Sequence, residues 1–271
     1  MPSASKVPQL NPASLPTVSV AFAAQVKRVA GLVPSGVLVP PAAPGPGPTK
    51  PGVERWPVKT GTDSDAGEVG TNRDVGTEPG IVDTTVEELA ALARPADMLP
   101  VGKNHKRYQT LRARPVELVV WRVVADIIVL KKEDDGDVHI VLQGASGETC
   151  IAEAPTAHPP FVDDTSPWFD AMQAVRRKIA EKFGPSFVGV PFVQFGKYLM
   201  PQASIVPGTP TGTAHLDGAD IFDTALPFKA KVPATPVEVI GVGFFDRVHG
   251  QTGVALNNGI ELHPILSVTW K

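Results

Sequence analysis

Four side chains in this sequence stand at spacings that metal or acid–base chemistry uses. Alternation along a strand puts residues i and i+2 on one face, so Asp137 shares a face with His139, and Glu261 with His263. The second pair lies in GVGFFDRVHGQTGVALNNGIELHPIL, residues 241–266, where two apolar runs flank a loop of Gly, Gln, Thr and Asn. If the two strands are neighbours, two carboxylates and two imidazoles form a mixed ligand set for a divalent metal. Glu153, Asp246 and His249 are further candidates. A metal held this way could activate water for phosphodiester hydrolysis.

Each of these residues also has a plain structural role open to it. DDGD, residues 134–137, is ordinary turn chemistry, and a His beside a carboxylate is commonly an orienting hydrogen bond or an ion pair. HGQTG lacks the lysine of a phosphate-cradling loop. No serine stands in a Gly-x-Ser-x-Gly elbow. Cys150 is the single cysteine, which excludes an internal disulfide and a Cys-based zinc cage; its apolar surroundings read as core rather than as a nucleophile site.

The elements that must position these residues begin at Arg114. PVELVVWRVVADIIVLKKE alternates Val119, Trp121, Val123 and Ala125 against Val120, Arg122, Val124 and Asp126, which predicts a long strand. The DDGD turn, VHIVLQ, the turn GASGE and TCIAEAP complete a three-strand meander. SPWFDAMQAVRRKIAEKFG predicts a helix, with Ser166 as cap, Pro167 at the first position and Gly184 at the end. Phe169, Met172, Val175, Ile179 and Phe183 keep helical spacing on it, and Arg176-Arg177-Lys178 reads as a solvated face. PVEVIGVGFFD and GIELHPILSVTW are the last two strands. Three strands, a helix and two strands predict a mainly β domain over residues 114–271, a five-stranded oligonucleotide/oligosaccharide-binding (OB) type barrel with one capping helix.

Two segments are foreign to such a barrel. Residues 1–53 form a basic, Pro-rich arm: the first fifty hold ten prolines, no acidic residue and the cations Lys6, Lys27, Arg28 and Lys50. With +4 there and −3 overall, the remainder carries −7. Such an arm reads either as a tail that docks elsewhere or as a disordered linker. A short amphipathic helix within it would present Phe22, Val26 and Val29 to a partner groove. The second is an irregular insertion at about 185–235, with Phe192, Phe195 and Tyr198 in a Pro/Gly context; connections this long tend to be functional. Between arm and barrel, residues 54–113 read as an irregular lead-in with one short helix in DTTVEELAALARP. Asp83, Thr84 or Thr85 would cap that helix and Pro95 would stop it. No secretory signal is evident, and no run reaches the roughly 18–20 apolar residues that span a bilayer.

ERWPVKTGTD, TTVEELAAL, PVELVVWRVVADIIVLKKEDDGDVHIVL, IAEAP, GVGFFDRVHGQTG and GIELHPIL, in this order, resemble a family of uncharacterised bacterial proteins. The likeness covers roughly residues 54–184 and 236–268. It implies a small OB-type β-barrel module and no particular activity. Members of that family have a short connection where this chain has its insertion.

The leading functional expectation is a non-enzymatic structural or interaction subunit of a larger assembly, such as a virion or a large cellular complex. Protein partners would be reached through residues 1–53 and 185–235, and no cofactor is expected beyond a divalent metal at Asp137, His139, Glu261 and His263. A metal-dependent, nuclease-like hydrolase built on that set is the alternative. A nucleic-acid-binding OB module comes third, because a body of −7 opposes phosphate, and Arg112, Arg114 and Lys131-Lys132 make only local basic patches.

Overall fold

The computed structural model describes residues 54–271, except 75, 77, 99–105, 158–160, 163, 188–190, 196–197, 202–212 and 216–228. The arm, with Phe22, Val26 and Val29, lies outside the described residues. The chain is mainly β. Its centre is β2 (Val120–Lys132), whose β-branched alternation makes one strand long enough to serve three partners. It pairs in parallel with β1 (Ile81–Thr84), and antiparallel with both β3 (Val138–Gln143) and β8 (Lys229–Phe245). β3 pairs antiparallel with β4 (Thr149–Ala154), β4 pairs in parallel with β9 (Ile260–Trp270), and β9 pairs antiparallel with β8. The sheet therefore returns on itself as a ring, β2-β3-β4-β9-β8-β2, with β1 added beside β2. A bulge in β2 between Ile127 and Val129, and two in the β8–β9 ladder around Gly241, supply the bending that ring closure needs.

The ring interior is apolar. Val138, Ile140, Leu142, Ala152, Ala154 and Leu262 belong to one buried cluster, and α3 (Phe169–Phe183) adds Val175, Ile179 and Phe183 to it. Gly243 of β8 is a forced choice, since a Cβ there would stand 2.5 Å from the Val116 carbonyl oxygen and 2.7 Å from the Trp121 indole nitrogen. The expected apolar face of α3 is thus the buried one, but its start differs. The helix begins at Phe169 with Trp168 at the cap, because Ser166 is buried and donates its hydroxyl to the Thr60 carbonyl, 2.6 Å away. Nor is the basic cluster of α3 only a solvated face. Arg176 donates to the carbonyls of Gly136 and Ala154, and Lys178 to that of Val268, satisfying turn and strand carbonyls.

Residues 54–113 are more ordered than their aperiodic sequence suggests. They hold two short helices, α1 (Trp56–Thr60) and α2 (Val86–Ala90), as well as β1. Thr85 caps α2 in a reciprocal box with Glu88, and the helix ends at Ala91, before Pro95. Three arginines organise the segment, and two of them, Arg55 and Arg94, tie it to β8 and the loop that follows. Arg55, fully buried, grips the Glu117 carboxylate at 2.7 and 2.6 Å and the carbonyls of Tyr108, Leu111 and Phe245. Arg112 grips Asp63 at 3.1 and 2.6 Å, and Arg94 donates to the carbonyls of Asp246 and Asn258. Long-range polar ties of this kind leave no hydrophobic period for a sequence reading to find.

The insertion also departs from an irregular chain. β5 (Pro191–Phe195), β6 (Tyr198–Pro201) and β7 (Thr213–His215) form a small antiparallel sheet, with Phe192 and Phe195 on β5 and Tyr198 on β6. Residues 229–235, expected within it, belong to β8. Among the described residues, no helix is long and apolar enough to cross a membrane.

Candidate functional site

Because interior positions on β3, β4 and the start of β9 (Ile260, Leu262) are even-numbered, His139, Glu153, Glu261 and His263 stand on the outer face of the ring. That face is covered, not solvated. α1 lies over it with Lys59, and the loop between β8 and β9 closes it from the side. The loop is held by its own polar residues. Gln251 donates to Asp246 at 2.9 Å and to the Arg247 carbonyl, and Asn258 donates to the carbonyls of Leu89 and Leu92 in the lead-in. Gly253 has φ +82° and presses on β3 where a Cβ would lie 2.4 Å from Val141. HGQTG is therefore a clasp that delivers the Thr252 carbonyl to His139.

Strand register brings the ionisable groups together. His139 is paired with Glu153 across β3–β4, and the parallel β4–β9 pairing of Ile151 with Glu261 and Ala152 with Leu262 sets His263 on the far side of Glu153. His139 Nδ1 lies 3.0 Å from Glu153 Oε1 and 3.4 Å from Glu133 Oε1, while its Nε2 lies 2.9 Å from the Thr252 carbonyl oxygen. His263 Nδ1 is 2.8 Å from Glu153 Oε2, yet misaligned for a hydrogen bond, so neither ring nitrogen of His263 has a hydrogen-bond partner. Its Nε2 is 3.7 Å from Asp137 Oδ2. Asp137 itself, 1 % exposed, has no hydrogen-bond partner on either carboxylate oxygen. The Lys59 ammonium stands 3.7 Å from Glu153 Oε2 and 5.4 Å from the Phe244 ring centre.

The electrostatics divide the carboxylates. Burial pushes the carboxyl of Asp137 well above the usual range, with Asp135 and Glu153 adding to it, and burial with Asp246 and Glu153 does the same to Glu261. Burial also opposes ionisation of Glu153, but the Lys59 ammonium beside it favours the charged form and that carboxyl is held well below the usual range. Burial would discharge Lys59, yet Glu153, Asp246 and Asp137 keep it protonated; burial, with Lys59, lowers His263. Glu153, Asp246, Asp137 and Glu261 all act on one ammonium, so when they ionise the group carries an excess of negative charge. A divalent cation would offset most of it.

Two triads place ligand atoms within 4.8 Å of one another: Asp137, Glu153 and His263, and Glu133, His139 and Glu153. Of the four residues expected from sequence, Asp137, His139 and His263 fall in these triads, though not paired as expected. Asp137 precedes β3 in the turn and approaches His263 rather than His139. Glu261 joins neither triad, although one of its oxygens lacks a partner. Glu153, a secondary candidate by sequence, is the residue the others share. Asp246 and His249 stand at the rim, 3.9 Å apart. Lys59 had no signal in the sequence at all, being one lysine in an aperiodic lead-in.

The site opens through Lys59, Glu133, His139 and Glu153 into a cleft of ≈ 570 Å³. Six carboxylates and three lysines line it, which favours cations over polyanions. The basic patches weighed from sequence are largely neutralised: Arg112 is buried on Asp63, Arg114 binds Glu68 and Asp74, and Lys131 contacts Glu133. Cys150 is buried in the ring and its thiol is pushed up to about 12 by burial, then by Glu261 and Glu87. In the native chain at pH 8 it is therefore expected to resist a thiol-reactive disulfide reagent and to react fully in denaturant; rapid native labelling would refute this. Comparisons with family models, curated proteins and solved structures find no match for this chain.

Proposed function

We propose that this chain is a divalent-cation-binding module on an OB-like barrel, and that it attaches to a larger assembly rather than turning over a substrate. The observation that carries the cation site is the convergence of Asp137 and His263, both buried and without hydrogen-bond partners, on Glu153. Buried polar groups are almost always satisfied, and an ion is one of the few partners that satisfies four such atoms together. The His/carboxylate set suits Zn²⁺ or Mn²⁺. The OB-like reading is supported by the ring order, by its one parallel closure between β4 and β9, and by α3 falling between the third and fourth ring strands. The attachment reading is supported by the basic arm of residues 1–53, by the insertion at 185–235, and by the enclosure of Asp137 and His263 away from the cleft.

A nuclease-like, metal-dependent hydrolase is the second reading, favoured because His139 and Glu153 do line the cleft. The acid excess there opposes a nucleic-acid ligand. Metal analysis of the purified full chain, beside the Asp137→Asn/His263→Gln variant, tests the cation site. Stoichiometric Zn²⁺ or Mn²⁺ in the wild type, lost in the variant, is the expected result. A metal-free wild type that stays metal-free after dialysis against Zn²⁺ and Mn²⁺ would remove the reading. Assaying the loaded protein on a phosphodiester separates the two functions: turnover abolished by the same variant would favour the hydrolase.

A further inference from the structure

We propose that a second divalent cation sits on the cleft side of Glu153, held by Glu133, His139 and Glu153, so that Glu153 bridges a two-metal centre. This rests on the reading that Asp137, Glu153 and His263 hold the first ion. The hydrogen bonding of His139 is the main argument. The Thr252 carbonyl can only accept, so the proton of a neutral His139 ring resides on Nε2, 2.9 Å away. Nδ1 then turns a lone pair on Glu153 Oε1 and Glu133 Oε1, 3.0 and 3.4 Å away. With Lys131 on Glu133 Oε1 and Lys59 3.7 Å from Glu153 Oε2, the charge facing the Nδ1 lone pair is only partly met, and a cation seated among the three ligand atoms would complete it. Metal-binding imidazoles show this arrangement, with the second ring N–H anchored on a carbonyl that fixes the tautomer.

The two oxygens of Glu153 divide between the triads. Oε1 faces His139 and Oε2 faces His263, so each ion would take one oxygen, one imidazole and one further carboxylate. Asp137 and His263, buried and without partners, are aimed into the same centre from behind. The two positions differ in access. Asp137 and His263 do not reach the cleft, whereas Glu133 and His139 line it, so the first ion is enclosed and the second exchangeable. An ion with only three protein ligands on an open cleft keeps a position for an oxygen ligand, such as water or a carboxylate. Lys131 contacts Glu133 Oε1 and competes for it, which makes the second ion the weaker of the two.

The test is calorimetric titration of the chelator-stripped full chain with Mn²⁺, followed by electron paramagnetic resonance of the loaded protein. The wild type is expected to bind two ions in two affinity classes and to show a spin-coupled pair. Glu133→Gln, on a half-buried side chain, should fold normally, lose the weaker class and show only an isolated ion. Asp137→Asn should lose the tighter class. A wild type that binds one ion, unaffected by Glu133→Gln, overturns the second site and leaves the proposed function standing; Nδ1 of His139 then carries a proton instead. Binding of no ion overturns both.

Discussion

Glu117→Ala is expected to lower the thermal unfolding midpoint by roughly 6–20 °C. Breaking one side of a buried ion pair costs about 3–5 kcal/mol, and each kcal/mol is worth about 2–4 °C in a chain of this size. The Glu117 carboxylate receives both terminal nitrogens of Arg55, together with the backbone N–H of Ala113 and of Phe245. Its removal leaves a fully buried guanidinium without a counter-charge and two enclosed N–H groups without acceptors. The consequence reaches the candidate site, because Arg55 directly precedes α1 and α1 carries Lys59 over Glu153. Arg55→Met combined with Glu117→Leu removes both charges and should recover part of the loss. Calorimetry or circular dichroism melts of the three proteins decide the matter. A shift of under about 3 °C for Glu117→Ala would mean that the lead-in is not pinned by this pair.

The chain stripped of divalent cations should lose thermal stability as pH rises from about 6.5 to 8, and the cation-loaded chain should not. Unfolded carboxyls titrate near pH 4. Asp137 and Glu261 titrate well above that when folded, chiefly through burial. Between the two values the folded state holds more protons, so their stabilisation is complete below the unfolded value and is lost as pH climbs through the folded one. Glu153 has the opposite sign: its contribution is present above the unfolded value and disappears as pH falls through its own depressed one. His263, lowered by burial, has the same sign as Glu153 below the ordinary imidazole value of about 6.5, so the decline set by Asp137 and Glu261 is expressed above that value. A bound cation replaces the protons on the enclosed group, and at a concentration one hundred times its dissociation constant it restores about 2.7 kcal/mol. Melting curves across this range, with and without EDTA, measure the effect. Parallel curves with no divergence toward pH 8 would count against a cation at Asp137, Glu153 and His263.

Much of the framework could be read directly from residue order. The alternation that predicts β2, the VHIVLQ of β3 and the helical spacing of Phe169, Met172, Val175, Ile179 and Phe183 are local patterns, and the structure has a strand or helix at each. Of the candidate ligands at strand spacing, Asp137, His139 and His263 each stand near Glu153 in the structure, while Glu261 joins neither group. Their pairing was another matter, because period-two alternation says which face a side chain takes but not which strand lies beside it. It placed His139 with Asp137, whereas the turn before β3 swings Asp137 toward His263.

Only the tertiary structure made Glu153 the shared residue, since that depends on β4 lying between β3 and β9 with one parallel edge. Only the tertiary structure buried the group, because its cover comes from chain far away in sequence. Arg55 reaches Glu117 across 62 positions to seat α1 and Lys59, and Asn258 reaches Leu89 across 169 to seat the loop that holds His139. The sequence by itself determined the five ring strands, α2, α3 and the chemical types at hand. Burial and neighbour identity, which turn a carboxylate and an imidazole into an unsatisfied pair in low dielectric, came from contacts that no local pattern encodes.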